Sequence, residues 1–119
     1  MNNEKRDLKL RTKEFALRII RMYAALPKDT VSQVLGRQSL RSGTSVGANY
    51  READRARSKA EFIAKMGDCL KELAETEYWL ELLMEANIVR PTRISALLDE
   101  CRQLLAIFTT IINQSRDRA

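Results

Sequence analysis

From Phe62 to Leu83, side chains suited to a core recur as Phe62, Met66, Cys69, Leu73, Thr76, Leu80 and Leu83, in alternating steps of four and three. That spacing turns one face of an α-helix toward a partner, and it is the seam along which bundle helices cross at about 20°. A half-buried strand alternates every second residue, so the run excludes a sheet and demands other helices to cover it. Leu70, Trp79 and Leu82 lie off the seam, which gives this helix more than one apolar contact surface.

Three punctuation points divide the rest. Phe15, Ile19, Met22 and Leu26, widened by Ala16, Ile20 and Tyr23, form one apolar face that stops at Pro27, predicting a helix over 7–26. In the following Pro27-Lys-Asp-Thr, Asp29 or Thr30 can cap, and Gln33 stands three after Thr30 as in a capping box, opening a helix over 30–56. Ser58 and Glu61 repeat the capping-box spacing ahead of a third helix, 59–87. It closes at Asn87, a residue tolerated in the left-handed cap conformation, with Pro91-Thr92 beyond. Ile94, Leu97, Leu98, Cys101, Leu104, Leu105, Phe108, Ile111 and Ile112 mark a fourth helix, 92–114, ahead of a polar SRDRA tail that we expect to fray. Short connections make consecutive helices antiparallel: an all-α, up-down-up-down four-helix bundle forming one domain over 1–119. A chain of this length buries roughly two thirds of its unfolded surface, so the core needs no cofactor or disulfide.

Histidine is absent. That removes the Glu-x-x-His ligands of di-iron bundles, imidazole zinc sites and the general base of most hydrolytic mechanisms. Cys69 and Cys101 share no metal-ligand spacing and both fall on apolar stripes, so they read as reduced core residues. No cofactor and no metal are expected. The charged start MNNEKRDLKLRTKEF has no signal-peptide apolar region and no run of 18 apolar residues occurs, so the expectation is a cytoplasmic protein without a membrane role.

Residues 41–54, RSGTSVGANYREAD, resemble a phosphate loop at first sight. A phosphate loop requires GxxxxGK[ST] after a strand, whereas Gly43 and Gly47 enclose three residues and no strand precedes. On a helix, Leu35, Ser39, Ser42, Val46, Asn49 and Ala53 share the inward stripe, thin at its centre and flanked by Gly43 and Gly47. Something large should pack on those glycines, and Tyr78 or Trp79 of the third helix are the expected occupants. Beside the stripe runs a polar seam of Gln38, Arg41, Ser45, Asn49 and Glu52, for which Lys71, Glu72 and Glu75 are the expected partners. It either fixes helix register or forms a ligand or acid-base site.

Opposite the stripe, Arg37, Arg41, Thr44, Ala48, Arg51 and Arg55 fall in one line, with Arg57 close behind. The chain carries a net charge of +5 with a pI near 9.5. It is distributed as +4 over residues 1–30, +3 over 31–58, −4 over 59–89 and +2 over 90–119. Acidic and basic faces can therefore meet within one bundle, or head to tail between copies in a ring.

The run from Gln38 to Leu83, in the order Gln38, Arg41-Ser42, Ser45, Ala48-Asn49, Glu52-Ala53, Ser58, Glu61-Phe62, Lys71-Glu72, Glu75-Thr76 and Tyr78-Trp79, resembles the signature of the 23S rRNA intervening-sequence protein family. Many relatives read SIP.NIAEG where this chain has SVGANYREA, with Gly47 in place of proline. The resemblance implies a four-helix fold, a homo-oligomer arranged as a pentameric ring, and kinship with the basic accessory protein of diversity-generating retroelements, which binds nucleic acid. It implies no enzyme.

Three function classes follow. The leading one is a non-enzymatic oligomer holding RNA or DNA through phosphate contacts from Arg37, Arg41, Arg51, Arg55, Arg57, Lys9 and Lys13, joined by Lys5, Arg6 and Arg11, with little sequence specificity. The alternative is a structural or protein-partner assembly module without a nucleic-acid role. The third, a carboxylate metal enzyme using Glu52, Glu72, Glu75 and Glu77, would have to work without imidazole.

Overall fold

The structure, a computed structural model, describes residues 3–117, and side chains from Leu8 onward. It contains four helices: α1 (Asn3–Ala24), α2 (Thr30–Asp54), α3 (Lys59–Glu85) and α4 (Pro91–Asp117). They form an all-α four-helix bundle measuring 50 × 21 × 21 Å, in which α2 lies between α1 and α3, and α4 packs on α3 with lighter contact to α1. This pairing of consecutive helices fits the up-down-up-down order. The SRDRA tail departs from expectation, because α4 stays helical through Ser115 and Arg116 to Asp117.

Three helix ends rest on a capping side chain or a turn. Asp29 caps α2: its carboxylate accepts from the Ser32 amide at 3.2 Å and the Ser32 hydroxyl at 2.8 Å. These bonds hold the carboxyl below its usual pKa. Gln33 is used otherwise than in a capping box, accepting from the Tyr23 hydroxyl and donating to the Pro27 carbonyl. At α3, Ser58 Oγ accepts from the Glu61 amide, while the Glu61 carboxylate accepts from the Arg57 amide one residue upstream. Asn87, at φ 61, turns the chain out of α3, and the Asn87 and Ile88 amides donate back to Met84 and Leu83. That closes a Schellman turn. A β-branched residue is strained at such a φ, so Asn87→Val is expected to cost about 1–2 kcal/mol in chemical denaturation, while Asn87→Gly leaves stability equal or higher.

The core is built from the predicted stripes. Phe15, Ile19, Met66, Leu73, Leu80, Leu83, Ile94, Leu104 and Phe108 are wholly buried, and Tyr50 meets Phe108 edge to face with centroids 5.8 Å apart. The α2 contribution is small side chains: Ser32, Gly36, Ser39, Ser42, Gly43, Val46, Gly47, Tyr50 and Ala53 are its buried residues. The occupant of the glycine face corrects the expectation of Tyr78 or Trp79. A Cβ placed on Gly43 would lie 2.8 Å from Ile19 Cγ1, and one on Gly47 would lie 3.2 Å from Thr12 Oγ1. Gly36 likewise faces Tyr23 and Leu26. The glycines therefore admit α1, and Tyr78 is an exposed residue.

The hydroxyls on α2 are satisfied locally. Ser39, Ser42, Thr44 and Ser45 donate to the carbonyls of Leu35, Gln38, Leu40 and Arg41, each one turn back. Ser42 and Thr76 also share a buried hydrogen bond of 2.7 Å between α2 and α3. A buried hydroxyl without a partner costs about 1–3 kcal/mol, so these bonds are the condition on which the thin face is tolerated.

Candidate nucleic-acid interface

The polar seam is where α2 meets α3, and its charges close on one another. Arg41 Nη1 lies 3.2 Å from Glu72 Oε1, and Nη2 lies 2.5 Å from Glu75 Oε1. Its Nε also reaches Gln38 Oε1. The bond to Glu75 is the chief reason that the guanidinium pKa is raised. Glu52 takes Lys65, at 2.8 Å, as its partner, which holds the carboxyl below its usual range. Lys71 is exposed, Asn49 is half-buried, and the Ser45 hydroxyl turns back to its own helix.

Two further bridges were not foreseen. Arg102 of α4 spans Glu77 and Glu81 of α3, each at 2.8 Å. Arg11 of α1 meets Glu100 of α4 through two bonds, of 3.1 and 2.7 Å. The acidity of α3 is thereby answered from α2 and α4, which is charge complementarity within one bundle. The carboxylates weighed as metal ligands are all engaged: Glu52 with Lys65, Glu72 and Glu75 with Arg41, Glu77 with Arg102. No group of three or more metal-ligating side chains occurs among the described residues.

The outer face of α2 contrasts with that seam. Arg37, Arg51, Arg55 and Arg57 are exposed, and their guanidinium groups make no salt bridge with a described residue. Arg55 contributes only a longer-range attraction to Glu52. Gly47 packs on Thr12, so Lys9 and Lys13, both exposed, stand at the height of Arg51 on the neighbouring helix. The structure thus brings Lys9, Lys13, Arg51 and Arg55 to one end of the α1–α2 surface, places Arg37 toward the other end of α2, and turns Arg41 away to α3. Lys5 and Arg6 have side chains outside the described residues. A row of exposed guanidiniums can contact successive phosphates, since each offers a planar fork of donors that matches phosphate oxygens.

Both cysteines are buried and unpaired, with Sγ near the carbonyls of Val46 and Leu73. Burial, the largest cause, pushes both thiols up from 9.0 to about 12. The folded state favours the neutral thiol, so this contribution to stability is complete below about pH 9 and is lost as pH rises toward 12. Over about pH 9 to 11, the melting temperature is expected to fall more steeply for the wild type than for a Cys69→Ala/Cys101→Ala variant.

A family model described as 23S rRNA-intervening sequence protein matches residues 4–110. Among solved structures, the chain is similar to a protein of unknown function from the S23 ribosomal protein family of Bacteroides thetaiotaomicron. The two share 38% sequence identity over 92% of this chain and 97% of that one, with a TM-score of 0.85. No curated protein matches the chain.

Proposed function

Because the chain belongs to the 23S rRNA-intervening sequence protein family, and the Bacteroides protein it resembles is itself of unknown function, we propose its role from its own surface. It is a non-enzymatic helical bundle that assembles with copies of itself and holds RNA or DNA by phosphate contacts. The observation that carries this reading is the contrast in arginine pairing. Arg11, Arg41 and Arg102 are each clamped by carboxylates, whereas Arg37, Arg51, Arg55 and Arg57 stand exposed without a salt bridge to any described residue. Phosphate contacts of this kind position a strand without reading bases. With Phe15, Tyr50 and Phe108 committed to the core, few ring faces remain for stacking, so sequence specificity is low.

The test is a salt titration of binding to mixed-sequence RNA and DNA. Affinity should fall linearly on a log–log plot, because released counterions accompany each phosphate contact. Absence of binding at about 50 mM salt overturns the reading.

A second observation favours assembly. Leu10, Leu17 and Ile20 are exposed on α1, 40–56% accessible, more apolar surface than a solitary helix face requires. This supports self-association, with the pentameric ring of the resemblance as the expected state, and keeps open a protein partner in place of nucleic acid. Light scattering decides it: a monomer removes the assembly half. No helix among the described residues is long and apolar enough to cross a membrane, and a cytoplasmic site of action completes the proposal.

A further inference from the structure

Where α1 ends and α4 begins lies a cleft of about 640 Å³. Four arginines line it, Arg18 and Arg21 from α1, Arg90 just ahead of α4 and Arg93 in its first turn. Its floor is apolar, with Met22, Ile88 and Leu97. No carboxylate lines the cleft, and none of the four guanidiniums is bonded to a described residue. Lower on the same seam, Arg11 is bonded to Glu100, which also borders a groove with Arg18 and Arg21.

Arg18 and Arg21 also border an adjoining groove that holds Glu14 and Glu100, so carboxylates stand beside two of the four arginines, and a bound anion would complete the set on the cleft side. Arg21 lies in the last turn of α1 and also answers the negative end of that helix. Arg90 and Arg93 flank the opening of the 27-residue α4, whose positive end adds to theirs. The platform is fixed, because the Schellman turn closes α3 at Asn87 and the Arg93 and Ile94 amides both donate to the Arg90 carbonyl.

The geometry points to a binding site for a multiply charged phosphate group carried on an apolar or aromatic body, as in a nucleoside di- or triphosphate. The arginines take the phosphates, and the floor of Met22, Ile88 and Leu97 takes the body. The cleft lies within the ~300–1,000 Å³ of small-molecule sites. The same chemistry is presented by a free nucleotide and by the 5′-triphosphate end of an RNA strand. This site is on the α1–α4 seam and stands independently of the outer face of α2.

Three probes test it: adenosine triphosphate, an oligoribonucleotide with a 5′-triphosphate, and the same strand with a 5′-hydroxyl. Two variants accompany them. Arg90→Ala/Arg93→Ala removes exposed charge, and Ala25→Trp fills the cleft from its wall without altering charge. Unchanged melting temperatures establish that both remain folded. A preference of about tenfold or more for the triphosphate strand, erased in both variants, identifies a strand end as the source. Binding of adenosine triphosphate, lost in both variants, identifies a free nucleotide. The proposal is overturned if adenosine triphosphate does not bind and the triphosphate strand binds no better than the hydroxyl strand, or if binding of either phosphate probe survives unchanged in both variants. Arg51→Glu/Arg55→Glu should weaken the hydroxyl strand and leave the triphosphate preference intact, so the two binding surfaces fail separately.

Discussion

Gly43→Leu is expected to destabilise the bundle by about 3 kcal/mol or more, lowering the melting temperature by about 10 °C. The Cβ alone would stand 2.8 Å from Ile19 Cγ1 and 3.3 Å from Ile19 Cβ. Ile19 is wholly buried and β-branched, so it has no rotamer into which to retreat, and the remaining leucine atoms must push α1 off α2. Glycine's poor helix propensity works the other way by only about 1 kcal/mol. Gly67 supplies the control, because a Cβ there meets nothing within 4 Å. Gly67→Ala should therefore stabilise the protein by about 0.5–1 kcal/mol. A double-mutant cycle sharpens the point: Gly43→Ala should cost less in an Ile19→Ala background than in the wild type. If Gly43→Leu melts with the wild type, the close approach of α1 and α2 is not what the glycine is for.

Arg51→Glu combined with Arg55→Glu is expected to lower nucleic-acid affinity about a hundredfold near 0.1 M salt, taking about 1.4 kcal/mol for each reversed charge. The slope of log affinity against log salt should flatten by about two units as two phosphate contacts disappear. Stability should hardly change, since neither side chain takes part in a salt bridge with a described residue. Arg41→Glu should behave oppositely. It sets a third carboxylate against Glu72 and Glu75, so the melting temperature falls while binding is little altered. Should the Arg51/Arg55 reversal dissolve an oligomer and leave binding intact, those arginines belong to assembly.

What could be read from the chain was whatever depends on one helix at a time. The seam from Phe62 to Leu83, the caps at Asp29 and Ser58 and the left-handed exit at Asn87 are local matters of spacing and side-chain chemistry, and they stand in the structure as expected. The thin face of α2 was legible for the same reason. Its occupant was not: a helical wheel places the glycines on one flank and the polar seam on the other, yet leaves open which neighbour lies on which side. Handedness of the bundle decides that, and it set Ile19 and Thr12, not Tyr78 or Trp79, against the glycines. Glu72 and Glu75 were identifiable as partners of the polar seam because the seam had to face α3. Arg102 with Glu77 and Glu81, and Arg11 with Glu100, depend on the rotation of α4 and the spacing of non-consecutive helices. The arginine cleft depends on residues of α1 and α4 meeting at one end of the bundle, which no pattern within either helix records.

The small-residue face of α2 also bears on the order in which the chain folds. Three glycines and a set of serines and threonines that bond back to their own carbonyls make α2 a weak helix in isolation, the glycines alone costing about 3 kcal/mol. Its helicity comes from the walls provided by α1 and α3. The α3–α4 hairpin, rich in leucine and with neighbours close in sequence, can form first, and α2 then winds against it as α1 closes over the glycines. An element that becomes helical only on contact is also the first to unwind when a wall withdraws, so its amides should exchange at a lower opening free energy than those in the middle of α3.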